Sequence, residues 1–404
     1  MSSSAWLTHT FAGLRVLDLS SNLAGPLAAM VLGDLGADVV KVERRGAGDD
    51  TRRLHPRWGE DGTVFHAVNR GKRSVALDFA SPAGRDAVLR LVASADVVID
   101  SFGPGVAAML GLDDSALRAR NPRLVHGTVS AFGDGPVGRT LPGYDSLVQA
   151  VSGMISITGH ANGAPARVAP SAIDLSTGLW LVIAIMAALE DRERTGQGRH
   201  VETALIDTAF NLMGHQVLGM LATGVVPGPL GSGSPSSMPN GAFRAADGWL
   251  VVATGNEAQF RRLCEALGAT ELADDPRFAT IPDRIAARDD LQAELDRRFA
   301  AAGVETWLER LHASRVPVGR IHDLNEALEH PLAAERGLLV VPTGAGEPLP
   351  QLRLPIDPDG AGVGPAPPVL GAHTEEVLRE AGLDAQEIAA LVDPAEVDLG
   401  AKGR

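Results

Sequence analysis

The chain has 404 residues, 45% of them hydrophobic, and a formal net charge of −14, which is enough apolar material for a large core divided between two domains. Its acidic residues are dispersed, which argues against a broad nucleic-acid-binding surface and leaves room for a local basic pocket that holds an anion. Cys264 is the single cysteine, so an internal disulfide and a cysteine-based metal cluster are excluded and a cytoplasmic location is expected.

No basic segment leads into an apolar one at residues 1–6, so no secretory signal is expected. Residues 15–19 read as a short strand, 20–26 as a turn, 27–35 as a helix stopped by Gly36, and 38–43 as a β-branched strand closed by Glu43. Strand, compact crossover helix and strand imply parallel pairing with a right-handed connection. The same grammar returns with strands at 75–78, 96–100 and 124–130 and a helix over 83–93 that Ser81-Pro82 opens. A helix over 147–154 and a longer apolar one from Ile173 or Asp174 to the 195–198 loop follow. The most apolar part of the latter, 180–189, is too short to span a bilayer and reads as a core helix, so no membrane association is expected. A strand over 199–204 runs into a helix through Leu221. Residues 224–241 are rich in Gly, Pro and Ser and mark a linker or an active-site loop. Beyond them, 241–244 and 249–253 form a hairpin, and helices over 259–267, 289–300 and 304–311 complete an α+β unit. A proline-rich passage, 348–368, precedes a last helix over 373–380. The expected domains are 1–222, a large Rossmann-like α/β domain; 223–330, a smaller α+β domain; and 331–404, a return to the large one.

The first strand–turn–helix lacks the Gly-x-Gly-x-x-Gly pattern that lets a backbone approach pyrophosphate, so 20–26 is a poor dinucleotide site. Asn69-Arg70-Gly71-Lys72-Arg73-Ser74 gathers three cations before a strand; it suits a phosphate, or is a surface charge cluster. Phe102-Gly103-Pro104-Gly105 follows the acidic end of a strand, where doubly wound sheets place ligand-binding turns. Asp145, in Pro142-Gly143-Tyr144-Asp145, opens a helix and is either an N-cap or a functional carboxylate. His126, inside a strand, reads as structural; His160 and His215 have no partner at metal-ligand spacing, so no metal is expected. Trp180, Trp249 and Trp307 read as core packing.

With the segments 13–18 and 33–43, these motifs closely resemble the family III CoA-transferases, which include formyl-CoA and carnitine CoA-transferases and the related 2-methylacyl-CoA racemases. The resemblance spans nearly the whole chain. It implies a nucleotide-like large domain completed by carboxy-terminal residues, a smaller domain between, and an interlocked homodimer. It implies transfer of coenzyme A (CoA) from an acyl-CoA to a carboxylic acid, with both as substrates and no permanently bound cofactor. Asp145 matches the family's catalytic aspartate, which forms a mixed anhydride and then an aspartyl-CoA thioester. Arg70, Lys72, Arg73, Phe102, Gly103 and Gly105 match CoA-contacting segments, whereas Ser101 and Met109 stand where relatives have an asparagine and an arginine. Gly231-Ser232-Gly233-Ser234 matches a glycine-rich lid or oxyanion loop, or is an interdomain linker. Racemase chemistry is the alternative: Asp174 and Glu257 stand at racemase-like positions, but Tyr144 replaces the histidine before the motif aspartate. A non-catalytic acyl-CoA-binding homologue is a further alternative.

Overall fold

A computed structural model describes residues 6–344 and 348–392. The first six residues expected to carry no signal lie mostly outside that range, as do 345–347 and 393–404 of the carboxy-terminal return. Six strands form one parallel sheet: β1 (Arg15–Asp18), β2 (Asp38–Arg44), β3 (Arg73–Leu77), β4 (Val97–Asp100), β5 (Val125–Ser130) and β6 (His200–Ala204). Their spatial order is β3-β2-β1-β4-β5-β6, so the winding reverses between β1 and β4, where doubly wound folds open a ligand crevice. Expected strand positions are observed to within a few residues, and the central strands β2 and β4 are β-branched runs buried on both faces.

Alternation along each strand sends neighbouring residues to opposite layers. Leu17, Val40 and Val98 meet α2 (Pro82–Ala93) and the carboxy-terminal helices Thr374–Glu380 and Ala385–Val392. Val16, Val39 and Val97 meet α1 (Ala24–Asp34) and the long apolar helix. Five further helices belong to the part of this unit that concerns the site: α3 (Val106–Leu110), α4 (Asp114–Arg120), α5 (Asp145–Val151), α6 (Ala172–Thr195) and, after β6, α7 (Leu205–Leu212).

Helix α6 corrects one expectation. It has 24 residues and is long and apolar enough by composition to cross a membrane, rather than too short. One face packs into the core through Ile173, Leu181, Val182, Ile185 and Leu189. The other exposes Leu179, Trp180, Ile183 and Met186, so Trp180 is not a core residue.

The chain divides into two compact units, 1–152 with 169–214 and 335–404, and 153–168 with 215–334. The second therefore starts earlier than 223, and the excursion over 153–168 is not visible in the composition. Its antiparallel sheet comprises Asn240–Arg244, Trp249–Ala253 and Val318–Arg320. Phe243, Leu250, Phe260, Phe299 and Trp307 fill its core. Cys264 is buried there, and burial pushes its thiol up to about 12, so it is inert packing.

Candidate active site

Two carboxylates meet where α5 and α6 begin. Asp145 is buried, and both of its oxygens are committed: Gln149 Nε2 donates to Oδ1 at 2.6 Å, and the backbone amides of Ile173 and Asp174 donate to Oδ2 at 3.1 and 3.2 Å. Ser171, at the N-cap of α6, makes no side-chain cap bond. Asp145 supplies that acceptor from 28 residues upstream, placing a negative charge where the helix leaves N–H groups unpaired. Asp145 is therefore a cap, but of the next helix and not of its own. The N-cap half of its reading thus applies to a different helix from the one expected, and its carboxylate is held from three sides.

Asp174 sits in the first turn of α6, half-buried, and only its amide is engaged. Its carboxyl accepts no hydrogen bond and forms no ion pair among the described residues. Burial, with the Asp145 charge beside it, pushes Asp174 up to about 7. A carboxyl that titrates near neutral pH, uncommitted and held beside a second acid, has the attributes of a reacting group. The sequence associated Asp174 only with the racemase alternative.

The switch point of the sheet holds a cavity of about 290 Å³. It is lined by the turns after β1 and β4, with Ser20, Ser21, Ser101, Phe102 and Gly103, and by the end of β2. Its volume lies at the small end of the range of ligand pockets. Ser101 Oγ accepts from the Ser21 amide at 3.0 Å, so the two turns are tied. Gly105, with φ of +78°, caps α3 in a left-handed conformation that a side chain would strain. Met109 is exposed on α3. Glu43 has the position of a ribose-binding acid, but Arg52 engages both its oxygens at 2.7 Å and Ser74 Oγ donates to one of them.

The cationic loop is corrected by its partners. Arg70 is buried against Asp34 at 2.6 Å, and Lys72 Nζ donates to Asp18, Asn69 Oδ1 and the Pro26 carbonyl at 2.8, 2.8 and 2.9 Å. Arg73 pairs with Asp38, Glu376 and Glu380. All three hold the large unit together and are not turned to an external phosphate. Among the described residues, the guanidinium lining the cavity is that of Arg44, at the end of β2, whose side chain is 52% exposed and pairs with Asp50.

In the second unit, three of the four amides of the glycine–serine loop are committed internally: Gly231 to the Gly159 carbonyl, Gly233 to Leu230 and Ser234 to Asn240. Ser232 Oγ accepts from the Ala242 amide, and the Ser234 carbonyl accepts from Arg288. Gly231 has φ of +61°, and a Cβ there would come within 2.7 Å of the His160 ring. The loop is thus a built turn with three of its four N–H groups already bonded. Glu257 opens the helix Glu257–Leu267, accepts from the Ile281 amide at 3.3 Å and is 56% exposed, a local structural contact. Among the described residues no cluster of three His, Cys, Asp or Glu is arranged to hold a metal.

His126, on β5, is a buried site residue whose role the sequence did not disclose. Its ring lies between Asp100 Oδ2 at 2.7 Å and Asp114 Oδ1 at 3.3 Å. Burial disfavours the charged ring, but the two carboxylates overrule it and hold His126 at about 9.

Residues 11–374 match the model of CoA-transferase family III. The chain is 38% identical over 380 residues to the succinate–glutarate CoA-transferase of Agrobacterium fabrum, covering 91% of this chain and 95% of that one. It is 39% identical over 332 residues to the acetyl-CoA:oxalate CoA-transferase of Acetobacter aceti, covering 82% and 85%. Among solved structures, a CAIB/BAIF family protein from Brucella suis superposes with a TM-score of 0.81 at 36% identity, covering 92% of this chain and 99% of that one. Rv3272 from Mycobacterium tuberculosis superposes with a TM-score of 0.80 at 33% identity, covering 91% and 98%. Fold, switch-point cavity and these likenesses agree: the chain belongs to CoA-transferase family III and is an acyl-CoA:carboxylate CoA-transferase.

Proposed function

We propose that the enzyme transfers CoA through covalent intermediates on Asp174, with Asp145 holding the helix terminus that presents it. The observation that carries this reading is the contrast between the two acids: Asp145 has both oxygens engaged, and Asp174 has neither. An Asp174 oxygen attacks the donor thioester carbonyl; a C–O bond forms, the C–S bond breaks, and CoA leaves as thiolate. The thiolate attacks the Asp174 carbonyl carbon of the mixed anhydride, giving an aspartyl-CoA thioester and the donor acid as carboxylate. The acceptor carboxylate then expels the thiolate, and the thiolate captures the acceptor acyl group and frees Asp174. No net proton is consumed. A carboxylate raised to about 7 is more basic, hence more nucleophilic, than an ordinary aspartate and is still largely ionised above neutrality.

The test is a mass-spectrometric trap: enzyme incubated with an acyl-CoA, digested, and the hydroxylamine-sensitive adduct located. An adduct on Asp174 is expected. An adduct on Asp145, or solvent deuterium at the substrate α-carbon without an acceptor acid, overturns the reading in favour of Asp145 or of racemase chemistry. The likeness to enzymes named for oxalate and glutarate supports short dicarboxylates as the first acceptors to screen.

The switch-point cavity is the proposed CoA platform, with Arg44 as its phosphate contact. A solvent-exposed pair such as Arg44–Asp50 is worth little, so a phosphate displaces Asp50 at small cost. Arg44→Ala is expected to raise the acyl-CoA KM about tenfold, the scale of one charge-assisted contact, without shifting the unfolding midpoint. Steady-state kinetics against both substrates check it, since the KM for the acid is expected to stay put.

The homodimer is supported by the apolar outer face of α6 and its neighbours. Leu179, Trp180, Ile183 and Met186, with Leu147 and Val151 of α5 and Phe210 of α7, are exposed on helices that pack together within one unit. Exposed apolar side chains gathered on adjoining helices call for a cover. Sedimentation of the wild type is expected to give twice the chain mass, and Ile183→Glu to dissociate it. A monomeric wild type overturns the expectation.

A further inference from the structure

The two charged bonds of His126 lead to the cavity floor. Asp100 closes β4, and its carboxylate is bifunctional: Oδ2 faces His126 Nε2 at 2.7 Å, and Oδ1 accepts from the Phe102 amide at 3.0 Å. Phe102 lies in the turn that lines the switch-point cavity with Ser101 and Gly103, and Ser101 anchors the opposite turn through the Ser21 amide. A ring with a carboxylate at each nitrogen must donate from both, so it is an imidazolium. We infer that His126 is a positioning residue for the coenzyme: through Asp100 it fixes the 101–103 turn against which CoA binds. This rests on the cavity being the CoA platform but not on which aspartate reacts.

Charge on the ring is essential to the arrangement. A neutral imidazole donates from one nitrogen only, which leaves either Asp100 or Asp114 facing a lone pair. Released from His126, the Asp100 carboxylate is free to rotate, and the Phe102 amide loses its fixed acceptor. The charged and titratable groups around the ring are Asp100 at the end of β4, Asp114 in the first turn of α4, Arg118 one turn further at 3.9 Å from Asp114, and His200 on β6 with its ring 5.0 Å away. Thr128 Oγ1 meets His200 Nε2 at 3.1 Å. The two acids outweigh His200, which is consistent with the ring holding its proton up to about 9.

The test uses the full-length enzyme, His126→Gln and Asp114→Asn. Gln donates from a single nitrogen, so calorimetric titration with free CoA near pH 7 is expected to show about tenfold weaker binding, the equivalent of one lost fixing bond. The kcat of the same variant is expected to stay within about twofold, because the reacting carboxyl is held elsewhere. In the wild type, the acyl-CoA KM is expected to rise as pH passes about 9. Asp114→Asn removes one of the two acids without touching the turn, so its CoA affinity near pH 6 is expected to match the wild type and its KM rise to begin at lower pH. A merely structural histidine would lower the yield of folded enzyme and leave that midpoint in place. Unchanged CoA affinity in a folded His126→Gln, or an unmoved KM limb in Asp114→Asn, overturns the inference. Free CoA binds without acyl transfer, so a wild type that binds CoA and transfers nothing overturns the covalent mechanism alone, whereas one that binds no CoA overturns both.

Discussion

Asp174→Asn is expected to lose turnover on the order of 10³-fold or more while remaining folded and retaining CoA, and Asp145→Asn to keep a measurable rate. The amide of asparagine cannot form the anhydride, so the first variant removes the nucleophile outright. The second still presents an Oδ1 acceptor to the Ile173 and Asp174 amides, so the start of α6 stays near its place. Its stability is expected to fall by about 1 kcal/mol, the scale of a helix cap. The acid limb of the rate separates the two roles further. Asp174 must be ionised to attack, so kcat/KM in the wild type is expected to rise with pH through about 7. Part of that elevation comes from the Asp145 charge, so in Asp145→Asn the midpoint moves to lower pH. Linkage gives a second readout. The folded value of Asp174 lies above its ordinary 3.8, so its contribution to stability is present at acid pH and lost as pH rises through 7. Asp174→Asn is accordingly expected to unfold at higher urea than wild type near pH 8, by on the order of 1–3 kcal/mol after allowing for partial exposure, and at similar urea near pH 4. Full activity in Asp174→Asn with none in Asp145→Asn sinks the assignment.

The sequence announced the strands more plainly than the site, for a physical reason. Val39, Val40, Val97 and Val98 are buried whatever they touch, so local composition identifies them. Asp145 and Asp174 are both acids at helix starts, and what separates them is which oxygens are engaged, a contact 28 residues apart. The loop at 70–73 misled in the same way. Adjacent cations look like one anion site, but Arg70, Lys72 and Arg73 reach Asp34, Asp18 and Asp38 on other strands and helices. His126 was legible as a buried strand residue, while the convergence of Asp100 and Asp114 on its ring depends on neighbouring β4 and on α4. The 153–168 excursion has no compositional mark, because unit membership is set by packing.

Lys72→Met is expected to cost about 3 kcal/mol of stability and to leave the affinity per folded molecule for CoA nearly unchanged, the reverse of what a phosphate-binding lysine does. All three Nζ protons are used, on Asp18, Asn69 and the Pro26 carbonyl, and the side chain is fully buried. Methionine preserves the volume and removes the charge, leaving Asp18 buried with Lys41 at 3.5 Å and the Ser20 amide at 3.0 Å. Breaking a buried pair costs about 3–5 kcal/mol, and the surviving Lys41 keeps the expected loss at the low end. Acid unfolding supplies the sign. Burial alone would raise Asp18, but the charges of Lys41 and Lys72 hold it at about 2, below its ordinary 3.8. Its contribution is therefore present above 3.8 and is lost only as pH falls through about 2. Without Lys72 the folded value moves up, so the variant is expected to begin unfolding at higher pH than the wild type. Urea melts across pH, paired with CoA titration of the folded fraction, decide the matter: weakened CoA binding at unchanged stability would return Lys72 to the phosphate and remove it from the core.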